Sequence, residues 1–211
     1  MKRDSAVIRI LVASTFGALA CFSALAFGSE WKIDPAHSSV RFKVRHMMIS
    51  WVEGSFSDIS GTFNILDKDV AGMKAEATIG VNSVSTNQEK RDSHLKTPDF
   101  FDAAKFPTMT FKSTTVTKGD KDKYEMRGNL TMHGVTKPVT LIVDEVTAPI
   151  KDMSGGLKRG FSASGKINRD DFGLKWNHVL ETGGVAVGNE VFITLNLELG
   201  QAPKEAPKPK S

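Results

Sequence analysis

The sequence predicts an all-β domain: an antiparallel up-and-down β-barrel of about eight strands with one short helix. Three observations lead there. From Trp31 onward the apolar residues recur with period two, the signature of strands that bury one face. The segments between these runs are short and carry Gly, Asn and Asp where turns need them. One capping-box pattern alone interrupts the alternation. A meander of this length closes readily into a barrel, because closure removes exposed strand edges.

Residues 1–26 read as an export segment rather than as part of the barrel. Lys2, Arg3 and Arg9 precede an uncharged apolar run over residues 10–25, and Ala24-Leu25-Ala26 is a small-x-small cleavage site. The expected destination is the periplasm. Ala18-Leu19-Ala20-Cys21 offers a minority alternative, lipidation at Cys21. That cysteine is the only one in 211 residues, so cleavage after Ala26 leaves neither disulfide nor thiol ligand for a metal. The formal charge of +4 also sits at the ends. Residues 1–26 and 201–211 each carry three cations and one anion, and the body between them is neutral. No basic stripe remains of the kind that releases counterions from nucleic acid, so that function is excluded.

The strand candidates follow in order. Residues 40–45 place Val40, Phe42 and Val44 on one face and three cations on the other. Shorter runs cover 51–56 and 62–66, then 74–81 (Ala75, Ala77, Ile79, Val81) and 108–113. Alternation resumes in 124–132, 139–143, 161–167 and 191–199. The expected turns include Lys118-Gly119-Asp120, His133-Gly134, Ser154-Gly155-Gly156, Arg169-Asp170-Asp171-Phe172-Gly173 and Val187-Gly188-Asn189. Thr86-Asn87-Gln88-Glu89 forms the capping box, with a helix expected over 90–96 and an irregular stretch between Pro98 and Pro107. Residues 27–200 thus form one domain, and the Pro- and Lys-rich 201–211 is an extended tail.

An eight-stranded barrel either fills with side chains or holds one slender ligand. Thirteen Phe and three Trp against a single Tyr suit a hydrocarbon guest better than a sugar or nucleotide. Strand alternation points Phe42, Phe56, Phe63, Phe111, Met126, Leu130 and Phe161 inward. Among polar groups, His37, Arg91, Asp92 and His94 are the candidates to meet a ligand head group. The five histidines show no H-x-H or H-x-x-x-H spacing, so no metal site is expected. Ser, His and Asp all occur, but no G-x-S-x-G elbow does, so no catalytic residues are assigned. No cofactor is expected.

Trp31-x-Ile33-Asp34-x-x-His37-Ser38, Phe42 and His46, Gly54-x-Phe56, Ser83-Val84-x-Thr86 and Arg91-Asp92-x-His94-Leu95 are followed in order by further strings. These are Asp99-Phe100-Phe101-Asp102, Pro107-x-Met109-x-Phe111, Gly128-x-Leu130-Thr131-x-His133-Gly134 and Arg169-x-Asp171-Phe172-Gly173. Together they resemble the YceI family over residues 31–199. The resemblance implies an extended lipocalin-like barrel whose lumen binds an isoprenoid lipid, a polyprenyl phosphate or a quinone-type chain, in the periplasm. It also implies transient contact with a membrane or a b-type cytochrome, and leaves open whether two barrels pair as a homodimer. The rival readings are a hydrolase or isomerase acting on such a lipid through His37 and the 91–94 group, and a stress-protective barrel packed shut.

Overall fold

The computed structural model describes residues 29–66, 69–121, 123–181 and 183–201. The expected export segment with Cys21, and the tail from residue 202 onward, lie outside the described residues. Eleven strands and one helix follow in chain order: β1 (Ser29–His46), β2 (Ser50–Phe56), β3 (Ile59–Leu66), β4 (Asp69–Gly80), β5 (Val84–Ser85), α1 (Glu89–Leu95) and β6 (Thr108–Lys118). The chain continues through β7 (Tyr124–Met132), β8 (Val135–Val146), β9 (Ile150–Lys151), β10 (Leu157–Asn168) and β11 (Val187–Gln201).

Eight long strands close into an antiparallel barrel in the order β1, β3, β4, β6, β7, β8, β10, β11, and β11 pairs back onto β1. Register puts inward residues opposite one another: Val40 faces Leu195, Phe42 faces Ile193 and Val44 faces Val191 across the closing seam. β1 is long enough to serve two partners on its other side. Its start pairs with β3 and its end with β2, so β2 continues the line of β3 toward one end of the barrel. There β5 pairs with β2, and α1 follows directly.

Most strands run longer than their alternating patterns. β1 begins at Ser29, because its irregularity between Asp34 and Ser39 breaks the period-two count without breaking the strand. Val187-Gly188-Asn189 is strand rather than the expected turn. Gly188 lies in β11 where the Cβ of Arg45 comes within 3.1 Å of where a side chain would start, so close approach explains the glycine. The helix runs over 89–95, one residue earlier at each end than the expected 90–96, and its cap is not the Thr86 of the capping-box pattern. Asn87 adopts φ 59°, outside the helical region, and Gln88 is the N-cap, its side chain accepting from Arg91 N. His133-Gly134 is the expected two-residue hairpin turn, with φ of 52° and 73°.

The barrel is packed solid at one end. Trp31, Ile65, Met73, Val143 and Leu199 are at most 1% exposed and form a floor, with the Arg159 guanidinium 5.2 Å from the Trp31 ring. On the outside of the closing seam, Lys158 of β10 bonds Asp34 of β1 at 2.7 Å and Glu198 of β11 at 3.0 Å.

Candidate functional site

Above the floor the interior is hollow. A cavity of about 360 Å³ runs from Phe63 and Phe161 to the opposite end of the barrel, within the size range of small-ligand sites. All seven residues assigned inward by alternation, Phe42, Phe56, Phe63, Phe111, Met126, Leu130 and Phe161, lie on its wall. Phe63 and Phe161 meet at 4.9 Å between centroids, and Phe42 and Phe56 at 5.6 Å. The wall is hydrocarbon almost throughout, because Val, Leu, Ile, Met and Phe occupy the inward positions of every long strand.

The mouth is built from segments outside the regular strands. Helix α1 supplies Arg91 and His94, the stretch after it Phe100 and Phe101, and the segment leading into β11 supplies Leu174 and Trp176. His94, Phe100 and Trp176 pack edge to face or tilted with centroids 5.0–5.2 Å apart, and His94 Nε2 lies 2.8 Å from Asp99 Oδ2. Arg91 donates from Nε to Thr86 Oγ1 at 2.7 Å and from Nη2 to the Thr86 carbonyl at 3.0 Å, while remaining exposed at the rim.

Arg169 holds the far side of the mouth in place. It is 3% exposed, and its guanidinium donates to the carbonyls of Gly188, Leu174, Trp176 and Val187 and to Asn189 Oδ1. Burial lowers its pKa from the usual value, and nearby Asp170 opposes this. The carbonyl dipoles are what stabilise its charge, so the guanidinium ties the segment carrying Trp176 to β11, as does the Asn177 amide, which donates to Val187 O at 2.7 Å and accepts from Val187 N at 3.0 Å.

The four head-group candidates divide. Arg91 and His94 line the mouth. Asp92 sits on the same helix but turns away: Oδ1 accepts from Thr86 N at 2.8 Å and from Thr86 Oγ1 at 2.5 Å, which makes it a latch on the helix start. His37 lies on the outer surface at the closing seam, 3.2 Å from Asp34 and 3.8 Å from Glu198, far from the group on α1 in register and not on the cavity wall. Asp34, His37 and Glu198 bring their ligand atoms within 4.8 Å of one another, but the Lys158 ammonium already bridges the two carboxylates. Reading the strands alone missed Trp176 and the mouth role of Arg169. An arginine in an otherwise turn-forming string, and a tryptophan between Lys175 and Asn177, were the available clues.

A closed eight-stranded antiparallel barrel, floored at one end and hollow with apolar walls at the other, places the molecule among the lumen-bearing β-barrels. More particularly, the chain belongs to the YceI-like domain family, whose model matches residues 31–199. It is 42% identical to Protein YceI of Salmonella agona over 166 residues, covering 78% of this chain and 86% of the relative. Protein YceI of Escherichia coli O157:H7 is 41% identical over 167 residues, with the same coverage. Among solved structures, BcnA of Burkholderia cenocepacia superposes with a TM-score of 0.66 at 25% identity, covering 79% of this chain and 98% of that one. A polyisoprenoid-binding domain from Saccharophagus degradans shares the fold, with a TM-score of 0.58 at 17% identity over 82% of this chain and 98% of the other.

Proposed function

We propose that this protein binds the chain of an amphipathic isoprenoid lipid, of polyprenyl phosphate or quinone type, in its lumen, and carries or stores it in the periplasm without chemistry of its own. The observation that carries the reading is the unfilled hydrocarbon cavity with a cationic and aromatic rim. Each methylene removed from water contributes about 0.8 kcal/mol, so a long chain binds tightly with few polar contacts. Arg91 and His94 at the mouth suit the anionic or carbonyl end of such a molecule. A fold neighbour described as polyisoprenoid-binding supports the ligand class, and the export segment read in residues 1–26 supports the compartment. The lumen's volume counts against a barrel packed shut.

The test is native mass spectrometry of the protein purified from periplasm, followed by denaturation and identification of the released molecule. The expected result is a one-to-one isoprenoid adduct that disappears in a Phe111→Glu variant whose circular dichroism remains native. An apo mass that stays apo after incubation with quinone, polyprenyl phosphate and fatty amides overturns the reading.

A further inference from the structure

The cavity wall ends at His46 on β1 and at Ala186 before β11. One residue further out, Met47 N donates to Ala186 O at 2.8 Å, and the chain turns through Met47, Met48 and Ile49 into β2. These three side chains are 41%, 56% and 78% exposed. Soluble surfaces bear single apolar residues without consequence, but three in a row at a hairpin tip form a contiguous patch. Val179 is 74% exposed on the loop whose Ala186 accepts from Met47 N, and it pairs with Val185.

The turn's own chemistry makes the composition more pointed. Met47 and Met48 take φ of 50° and 63°, left-handed values for which Asn-Gly is the favoured pair. At the β7–β8 turn the same molecule places a glycine in such a position. At the mouth it keeps two methionines in a conformation that disfavours them, so neither turn stability nor solubility accounts for these side chains.

Cations and an aromatic ring stand immediately behind the tip. Trp51 on β2 is 38% exposed, with the Arg45 guanidinium 4.0 Å and the Lys43 ammonium 5.0 Å from its ring. An apolar tip, a tryptophan one step back and basic side chains beside it repeat the layering of a bilayer interface, from hydrocarbon to headgroup to phosphate. The charge is complementary to anionic lipid, whose surface attracts Lys and Arg.

We propose that this end of the barrel docks on an anionic lipid bilayer, the Met47-Met48-Ile49 tip entering the interface and Lys43 and Arg45 meeting lipid phosphates. Docking brings the mouth of the lumen against the membrane and gives a lipid guest a route that avoids water. The proposal names the partner surface of the lumen-binding reading and rests on that reading for its purpose, while docking itself is measured without any guest.

The experiment is co-sedimentation of the folded protein with phosphatidylcholine vesicles, with and without phosphatidylglycerol, at low and high salt. The expected result is partition onto phosphatidylglycerol vesicles that weakens with salt and falls by about tenfold or more in Ile49→Glu, the effect of losing one buried aliphatic side chain. Met48→Ser lowers it as well. Met153→Glu, which changes a fully exposed methionine in the β9–β10 turn, leaves it unchanged. Phe111→Glu empties the lumen yet still sediments, so a failure of guest binding and a failure of docking read out separately. The proposal is overturned if phosphatidylglycerol makes no difference, if Ile49→Glu sediments like the parent, or if the tip variants instead dissociate a dimer of this chain.

Discussion

Phe42 and Phe111 owe their positions on the cavity wall to two glycines. A Cβ built on Gly54 would come within 2.4 Å of Phe42 Cζ, and one on Gly128 within 2.4 Å of Phe111 Cζ. Each ring therefore lies across the neighbouring strand rather than standing into the lumen, and the space it vacates belongs to the cavity. In Gly128→Ala the backbone carbonyl of Lys112, 2.7 Å from the new carbon, blocks relief on one side, so the Phe111 ring must swing inward. The expected cost is about 1–3 kcal/mol, a melting temperature lower by several degrees and weaker uptake of a fluorescent isoprenoid. A variant that binds the probe as well as the parent shows that the ring does not set the lumen's width. Glycine within a strand is readable as a place of close approach, yet which ring approaches depends on register between strands, which one-dimensional alternation does not contain.

At the scale of elements, helix α1 is too short to be stable alone and is held by its start. Asp92 receives two bonds from Thr86, which is 6% exposed, and Thr86 in turn receives two from Arg91. Asp92→Ala strands the buried Thr86 N–H and hydroxyl. The expected loss is about 1–3 kcal/mol in urea unfolding, with faster hydrogen exchange confined to residues 86–96; unchanged exchange there means the latch does not hold the helix. The strands of the wall were legible because their period of two survives in the sequence, and all seven inward assignments fall on the cavity. The mouth was legible only in part. Arg91 and His94 stood out as polar residues on a short helix, whereas Asp92 and Thr86 carry the same polarity for a local purpose, and His37 is drawn to a seam formed by strands distant in sequence. Helix polarity shows that a side chain has a partner without showing which one.

For the whole molecule, the seam that closes the barrel carries its most perturbed charges. Hydrogen bonds from Lys158 and then His37 lower the Asp34 carboxyl from 3.8 to about 2, and Asp34 and Glu198 raise Lys158 from 10.5 to about 12. Asp144, bonded by Lys123, and Asp152, bonded by the Ser154 hydroxyl, also lie below the ordinary value. A depressed carboxylate stabilises the fold above its unfolded pKa and loses that contribution as pH falls, since the unfolded chain takes up the proton first. The raised lysine stabilises below 10.5 and loses its contribution as pH climbs through about 12. Urea midpoints measured against pH should therefore be flat near neutrality, fall from 3.8 toward about 2, and fall again above 10.5. Asp34→Asn should shrink the acid limb without abolishing it, because Asp144 and Asp152 remain; an acid limb of full size shows that the seam does not set acid sensitivity.

The solid floor turns the barrel into a cup rather than a pipe. Trp31, Ile65 and Leu199 seal the far end, so under the proposed function a long guest enters tail first and its polar end is the last part to pass the rim. Departure retraces the same path with the polar end leading. Such a cup does not thread a guest from one side of the molecule to the other, and a carrier of the proposed kind would have to present the same opening to donor and to acceptor.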